Sequence, residues 1–181
     1  MKKYIIIALI LIAPTFIIAQ GTFDKYENMN DVSSMVMTSK MFKLLSKIDF
    51  DSGDQETQQY INLVENIENI KVFATDNKEV GLKMKSDVTG YLKKASLDEL
   101  MRVNSDGQNI RFYSKPGKNE DFVSELFMFL ESPDGNNSSK DSPDTVVLII
   151  TGNIDLKQVS KLADDLNIPG GKELKNVDKN K

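Results

Sequence analysis

The chain has 181 residues, of which 40% are hydrophobic and 28% are charged. These values predict one globular domain with enough apolar side chains to form a core, and they exclude a chain that is disordered throughout. Because His and Cys are both absent, the sequence has no disulfide, no usual zinc or copper ligand, and no catalytic pair that uses His or Cys. Most simple enzyme classes are thereby excluded.

Residues 1–19 have the layout of a signal peptide. Two lysines precede an almost continuous apolar run, and the small residue Ala19 ends it. We expect cleavage between Ala19 and Gln20 and export to the periplasm or the medium. A retained membrane anchor is the alternative, but Pro14 interrupts an apolar stretch of about 15 residues, where a spanning helix needs roughly 20. We therefore expect no stable membrane span after cleavage.

The charge balance disfavours nucleic acid as a partner. The chain carries 23 basic and 27 acidic residues, a formal net charge of −4. Removal of the two lysines of the signal leaves 21 basic residues and a net charge of −6. Nucleic acid and anionic lipid are bound by clustered basic residues. The expected partner is therefore a protein of the envelope or the extracellular space.

The mature chain divides into three parts. Residues 20–30 form a lead-in, 31–168 a single domain, and 169–181 a polar tail. Within the domain, residues 132–143 contain no large apolar side chain, which predicts a disordered surface insertion rather than part of the core. A binding lid is the functional alternative for this insertion.

The first part of the domain is predicted to contain strands and helices in alternation. In 31–48, alternating apolar residues give way to helical spacing, which predicts a strand that passes directly into a short helix. A single helix throughout is the alternative. Residues 55–66 are predicted to form an amphipathic helix and 70–74 a strand.

A capping box is predicted at the start of the next helix. Asp76 and Glu79 have the required spacing, so the side chain of Asp76 is expected to cap the helix. The face of this helix that contacts the core is formed by Val80, Met84, Val88, Tyr91 and Leu92.

The second part of the domain is predicted to be mainly β. Residues 97–104 and 109–115 read as a hairpin, because the Asp-Gly pair between them supplies the positive φ angles of a tight turn. Two further strands are expected at 122–131 and 145–151, the second so continuously apolar that it should be central and buried on both faces. Asp155 is then expected to cap a final helix.

Together these elements predict an α+β fold, a two-layer sandwich in which helices cover one face of a mostly antiparallel sheet. The order of the strands stays open.

The sequence contains no motif that is typical of a known chemistry. Phosphate-binding glycine loops, GxSxG and Ser-x-x-Lys spacings are absent. Asp98 and Glu99 are neighbours on a predicted strand and should face opposite sides. Three carboxylates around Gly53 (Asp49, Asp51 and Asp54) resemble part of a calcium loop but lack its terminal Glu, which favours a solvated loop. No catalytic, cofactor-binding or metal-binding residue is assigned.

Two apolar clusters favour packing over binding. Met35, Met37 and Met41 contain thioethers that suit soft metals, but core packing is the preferred interpretation. The aromatic residues Phe112, Tyr113, Phe127 and Phe129 lie on predicted strands, and alternation places some of them on the core side in either orientation.

Several segments resemble the domain of unknown function 4252 family, small exported proteins of Bacteroidetes-type bacteria. They are the signal ending in AQ, SSMVMTSKMFKLL, IKVFATD before a helix, YLKKASLDELMRV with NIRFYSK, and VVLIITGNIDLKQVSKLA. The resemblance covers roughly residues 23–166 and implies no activity or ligand. Several relatives look like lipoproteins, whereas this chain lacks the Cys that lipidation requires.

The leading interpretation is an exported, non-catalytic binding or envelope-associated protein. A carboxylate-dependent enzyme and a self-associating structural subunit are the alternatives. A deep pocket with converging carboxylates would favour the enzyme, and a flat apolar patch would favour a partner.

Overall fold

The computed structural model describes residues 19–45, 61–105, 107–119, 121–132 and 143–156. The predictions for the signal peptide before Ala19, the acidic loop at 49–54, most of the insertion, and the chain beyond Leu156 therefore lie outside the described residues.

Within this part of the chain, six strands form one sheet. They are β1 (Ser33–Thr38), β2 (Ile67–Thr75), β3 (Asp98–Ser105), β4 (Gln108–Pro116), β5 (Phe122–Glu131) and β6 (Thr145–Asp155). Their order across the sheet is β1-β2-β6-β5-β4-β3, and every neighbouring pair is antiparallel. The strand β6 is thus central, as predicted, and β1 and β3 are the two edges. The prediction that β6 is buried on both faces is wrong for one of them, because Val146, Leu148 and Ile150 are half-buried.

Four helical segments accompany the sheet in the described ranges. They are α1 (Ala19–Phe23), which continues into a 3₁₀ turn at Asp24–Tyr26, then α2 (Ser39–Leu45), α3 (61–65) and α4 (Lys78–Ala95). The α+β fold class is confirmed.

The local predictions agree with the structure in type and differ at several ends. The strand that passes directly into a helix is confirmed, because α2 begins at the residue after β1. The strand β2 begins at Ile67, so the preceding helix ends at 65. The strand β6 extends to Asp155, and the next residue, Leu156, is helical, in agreement with a final helix that follows Asp155; the rest of that helix lies outside the described residues.

The predicted cap of α4 is wrong by one residue. Asn77 is the N-cap, and its side-chain oxygen accepts hydrogen bonds from the backbone N–H groups of Glu79 and Val80. The side chain of Asp76 instead accepts a bond from the backbone N–H of Asp144, 3.0 Å away. Two adjacent residues of cap-forming type compete here, and Asn77 alone reaches the unpaired amides.

The hairpin between β3 and β4 is confirmed. Ser105 pairs with Gln108, and Gly107 in the turn has a φ of 79°, which a residue with a side chain rarely adopts.

The first face of the sheet is covered by α4 and by the N-terminal segment. This first-face core contains one row of side chains across the central strands, in which Phe73 is opposite Val147 and Val147 is opposite Phe129. The predicted face of α4 packs on this row. Phe23 and Tyr26, within the lead-in defined from the sequence, are both fully buried in it.

The second face carries smaller clusters toward its ends. Phe42 of α2 and Val64 of α3 pack with Ile67, next to Met37, Ile70 and Ile150. A second cluster joins Val123, Leu126 and Ile154. Helical residues therefore contact both faces of the sheet, with the long helix α4 on the first.

Candidate functional site

A buried tyrosine and a buried glutamate meet inside the first-face core. The Tyr91 hydroxyl, on the last turns of α4, donates a hydrogen bond to the Glu125 carboxylate on β5. Tyr91 is 1% exposed and Glu125 is 4% exposed. Burial raises the pKa of the Tyr91 phenol and also that of the Glu125 carboxyl, although the hydrogen bond from Tyr91 and the charge of Lys115 act to lower the latter. At these exposures a substrate has no access, so we interpret the pair as a structural contact.

A second cluster of polar side chains lies around a cleft near the start of α4. A cleft of about 230 Å³ opens between the first turns of α4 and the adjoining ends of β5 and β6, and Glu131 and Asp144 both line it. Nζ of Lys85 lies 2.7 Å from one carboxylate oxygen of Glu131, and the Arg111 guanidinium lies 3.8 Å from the other. Acid–base catalysis by two carboxylates needs groups that are free to exchange protons. Both ion pairs are made by Glu131, so this carboxylate is a poor match for the acid or base that the enzyme alternative requires.

Ser132, at the end of β5, also lines this cleft. The sequence placed it in the insertion that adds nothing to the core, but Ser132 is 8% exposed and its backbone N–H donates a bond to the carbonyl of Asp144. Its hydroxyl has no hydrogen-bond partner within the part of the chain that the structure describes. Ser132, the first residue of the predicted insertion, is therefore part of the packed structure.

The N-terminal segment is fixed to the domain by charged contacts. The Tyr26 hydroxyl donates to Asp87 of α4 at 2.5 Å. Nζ of Lys71, on β2, lies 2.5 Å from Asp24 and 2.9 Å from Glu27. These contacts span 44 to 61 residues of sequence, so the segment that follows the predicted cleavage site is part of the folded domain.

An exposed apolar patch is formed by β1 and α2. Met35 is 47% exposed and Val36 41%, while on α2 Met41 is 46% exposed and Leu44 63%. Leu82 is the other exposed large apolar residue in the described part of the chain. We call the patch of Met35, Val36, Met41 and Leu44 the β1 surface.

The two edges of the sheet differ in charge. Every residue of β1 is uncharged (SSMVMT), whereas β3 (DELMRVNS) carries Asp98, Glu99 and Arg102. Arg102 forms an ion pair with Glu99 at 2.9 Å on the exposed side of β3. Charged side chains on an edge strand oppose pairing with another chain, and a neutral apolar edge strand permits it. Within the described sheet, β1 is therefore the edge that permits pairing with a further strand.

The structure corrects the interpretation of the methionines. Core packing was preferred for all three, but Met35 and Met41 are exposed and only Met37 is partly buried against the second-face cluster of Phe42. The reason is the position of β1 at the edge, where no strand of the described sheet covers its outer side. The β1 surface was missed for this reason.

The remaining residues singled out from the sequence form no common site in the described part of the chain. Asp98 and Glu99 face opposite sides, as predicted, because they pair with the adjacent residues Ser114 and Tyr113. The four aromatic residues that the sequence singled out on β4 and β5 are all buried. Within the described residues, no three His, Cys, Asp or Glu side chains are grouped in a way that would hold a metal ion.

None of the helices in the described ranges combines the length and apolar character that crossing a bilayer requires.

Comparison with known proteins gives one match. The family model described as "Domain of unknown function (DUF4252)" matches residues 26–162, which confirms the resemblance inferred from the sequence. No curated protein and no solved structure matches the chain.

Proposed function

The chain belongs to the DUF4252 family, a domain of unknown function, and we propose that it is an exported, non-catalytic binding protein whose partner docks on the β1 surface. The observation that carries this proposal is the contrast between the two sheet edges, of which only β1 is uncharged and exposes large apolar side chains. An extended segment that adds to a sheet edge gains backbone hydrogen bonds along the strand, and pockets for alternate side chains give it specificity.

Burial on the partner explains why these apolar side chains are exposed in the single chain. Met35 and Val36 are successive residues of β1 and point to opposite faces of the sheet. A strand added at this edge would cover part of both side chains at once. Methionine suits such a contact, because its flexible thioether side chain adapts to the surface it meets.

Export is supported by the layout of the first nineteen residues and by their relation to the fold. Removal of residues 1–19 leaves Phe23 and the ion pairs of the N-terminal segment intact. The intact mass of the protein recovered outside the cytoplasm tests this step. We expect a chain that begins at Gln20, and recovery of a chain that still begins at Met1 would contradict cleavage.

Photo-crosslinking in producing cells tests the docking surface. A photo-reactive amino acid replaces Val36 in one protein and Asn104, an exposed residue of the opposite edge strand, in the matched control. We expect adducts from position 36 that are absent from position 104, with peptides of the attached protein identified by mass spectrometry. Equal labelling from both edges, or no adduct from position 36, would contradict docking on β1.

A further inference from the structure

We propose that the occupant of the β1 surface is a second copy of this chain, with the two β1 strands paired antiparallel about a two-fold axis. This inference rests on the proposed function, since it names the partner at the same surface. Such a dimer joins the two sheets edge to edge into one continuous sheet.

The composition of β1 suits pairing with itself. In a two-fold antiparallel pair, opposite residues lie on the same side of the sheet, so a centre at Val36 places Val36 against its own copy and Met35 against Met37 of the partner. These contacts are apolar, and the other residues of β1 are serine and threonine. No like charges meet along the strand, which is the usual obstacle to a self-complementary edge.

The charges that flank β1 favour the antiparallel orientation. Asp31 lies two residues before the start of β1 and Lys40 two residues after its end, and both are exposed. Among the described residues, neither side chain forms an ion pair. Antiparallel pairing brings Asp31 of each copy next to Lys40 of the other, whereas parallel pairing would bring Asp31 next to Asp31 and Lys40 next to Lys40.

The helix α2 extends the contact beyond the strand. A stable interface buries about 1,200–2,000 Å² in total, more than one pair of short strands supplies. Met41 and Leu44 are exposed on the helix that begins directly after β1. They add apolar area at both ends of the paired strands, because the two-fold axis places one copy of α2 at each end.

The opposite edge limits the assembly to two copies. The strand β3 carries three charged residues and forms the far edge of the sheet, and charged edge strands resist further pairing. In a closed dimer the two β1 strands pair with each other, and the edges that remain free are the two charged β3 strands. This is the arrangement expected of a protein that associates without forming fibres.

Sedimentation equilibrium of the exported chain tests the inference. We expect a dimer at micromolar concentration. The Val36→Lys variant should weaken association at least about tenfold, because two lysines then meet at the two-fold axis. The matched control Asn104→Lys places the same charge on the opposite edge and should leave the dimer unchanged. Circular dichroism of both variants establishes that they fold.

An exchange of the charges at Asp31 and Lys40, which are both exposed, tests the antiparallel orientation of the two β1 strands. Asp31→Lys or Lys40→Asp should each weaken the dimer by about fivefold, since each places like charges together, and the double variant should restore the wild-type association. A dimer that withstands Val36→Lys, or a double variant weaker than both single ones, would overturn the inference.

The crosslinking result separates this inference from the proposed function. A monomeric wild-type chain that still forms an adduct with a different protein from position 36 overturns the second copy as occupant and leaves the proposed function standing. A monomeric chain with no adduct from that position overturns both.

Discussion

The Tyr91 hydroxyl donates its hydrogen bond to the Glu125 carboxylate at a point where both side chains are buried beneath α4. Loss of hydration disfavours the carboxylate, so the pKa of Glu125 is raised above its ordinary value of 4.5, in spite of opposing contributions from Tyr91 and Lys115. The folded state therefore binds the proton of the Glu125 carboxyl more tightly than the unfolded state does. Its contribution to stability is greatest below pH 4.5 and is lost as the pH rises through the folded-state pKa.

The Glu125→Gln variant should remove this pH dependence. The substituted amide keeps an oxygen that accepts the bond from Tyr91 but does not ionise, so the variant should become more stable than wild type as the pH rises. The gain is about 1.4 kcal/mol for each unit by which the pKa of Glu125 is raised. Urea denaturation between about pH 4 and pH 8 measures it, with the exposed Glu68→Gln as control. Parallel pH profiles for wild type and Glu125→Gln would contradict a raised pKa.

Removal of the Tyr91 hydroxyl should lower the stability of the fold. Tyr91→Phe leaves the ring in the core but takes away a hydrogen bond to a buried carboxylate. We expect a loss of about 1–3 kcal/mol near pH 8, where Glu125 is ionised to the greatest extent. The loss should shrink near pH 4, where the carboxyl is protonated. A loss that is equal at both values would show that packing, rather than the hydrogen bond, accounts for it.

Two glycines of α4 differ in the space around them. A Cβ at Gly81 would lie 2.7 Å from Oγ1 of Thr145 on β6, whereas a Cβ at Gly90 would meet nothing within 4 Å. We expect Gly81→Ala to destabilise the fold by about 1–3 kcal/mol through overpacking. Gly90→Ala should stabilise it by about 0.5–1 kcal/mol, the usual gain for alanine in a helix. Urea midpoints with unchanged slopes provide the comparison. Equal stabilisation by both variants would show that Thr145 moves aside freely.

Elements that depend on local pattern could be predicted from the sequence. The bounds predicted for β5, 122–131, match the structure at both ends, and the Asp-Gly pair predicted the hairpin of β3 and β4. The burial of Glu125 was not predicted, because glutamate is rarely buried unless it is paired. The signal was present, since Glu125, Phe127 and Phe129 alternate along β5 and therefore share the core face.

The β1 surface, in contrast, depends on long-range pairing. Local sequence predicts a strand that passes into a helix within 31–48 but does not say which strand becomes an edge. That outcome follows from β2 pairing with β6 on its other side, across seventy residues or more. Met35 was expected in the core because methionine is usually buried, and it is exposed because β1 is last in the strand order.

The central strand offers a test of how its two faces are covered. Ile149 is buried in the first-face core at 4% exposure, while Leu148 points to the second face and is half-buried. Burial on both faces, as predicted from the sequence, would give each substitution to Ala a cost of about 2–5 kcal/mol. From the structure we expect Ile149→Ala to cost about 2–5 kcal/mol and Leu148→Ala about half as much. Chemical denaturation of both variants measures this difference. A larger loss at Leu148 would contradict the description of the first face as the main core.

The last prediction concerns Phe23, three residues after the expected new N-terminus. Its ring is fully buried and lies against four aromatic rings, with centroids 5.6 Å from Tyr91, 5.8 Å from Phe127, and 6.4 Å from both Tyr26 and Phe73. Loss of this ring leaves a cavity between α4 and the sheet. Phe23→Ala should therefore cost about 3–5 kcal/mol.

The neighbouring Lys25→Ala serves as the control for this prediction. Lys25 is exposed and contributes a surface ion pair to Asp87, so its removal should change the stability by less than about 1 kcal/mol. Thermal and urea unfolding of the chain that begins at Gln20 compare the two variants. A small loss for Phe23→Ala would mean that the N-terminal segment leaves the core at little cost. A large loss would show that the folded domain begins before residue 26, where the family match begins, and that any cleavage of the predicted signal must leave Phe23 in the chain.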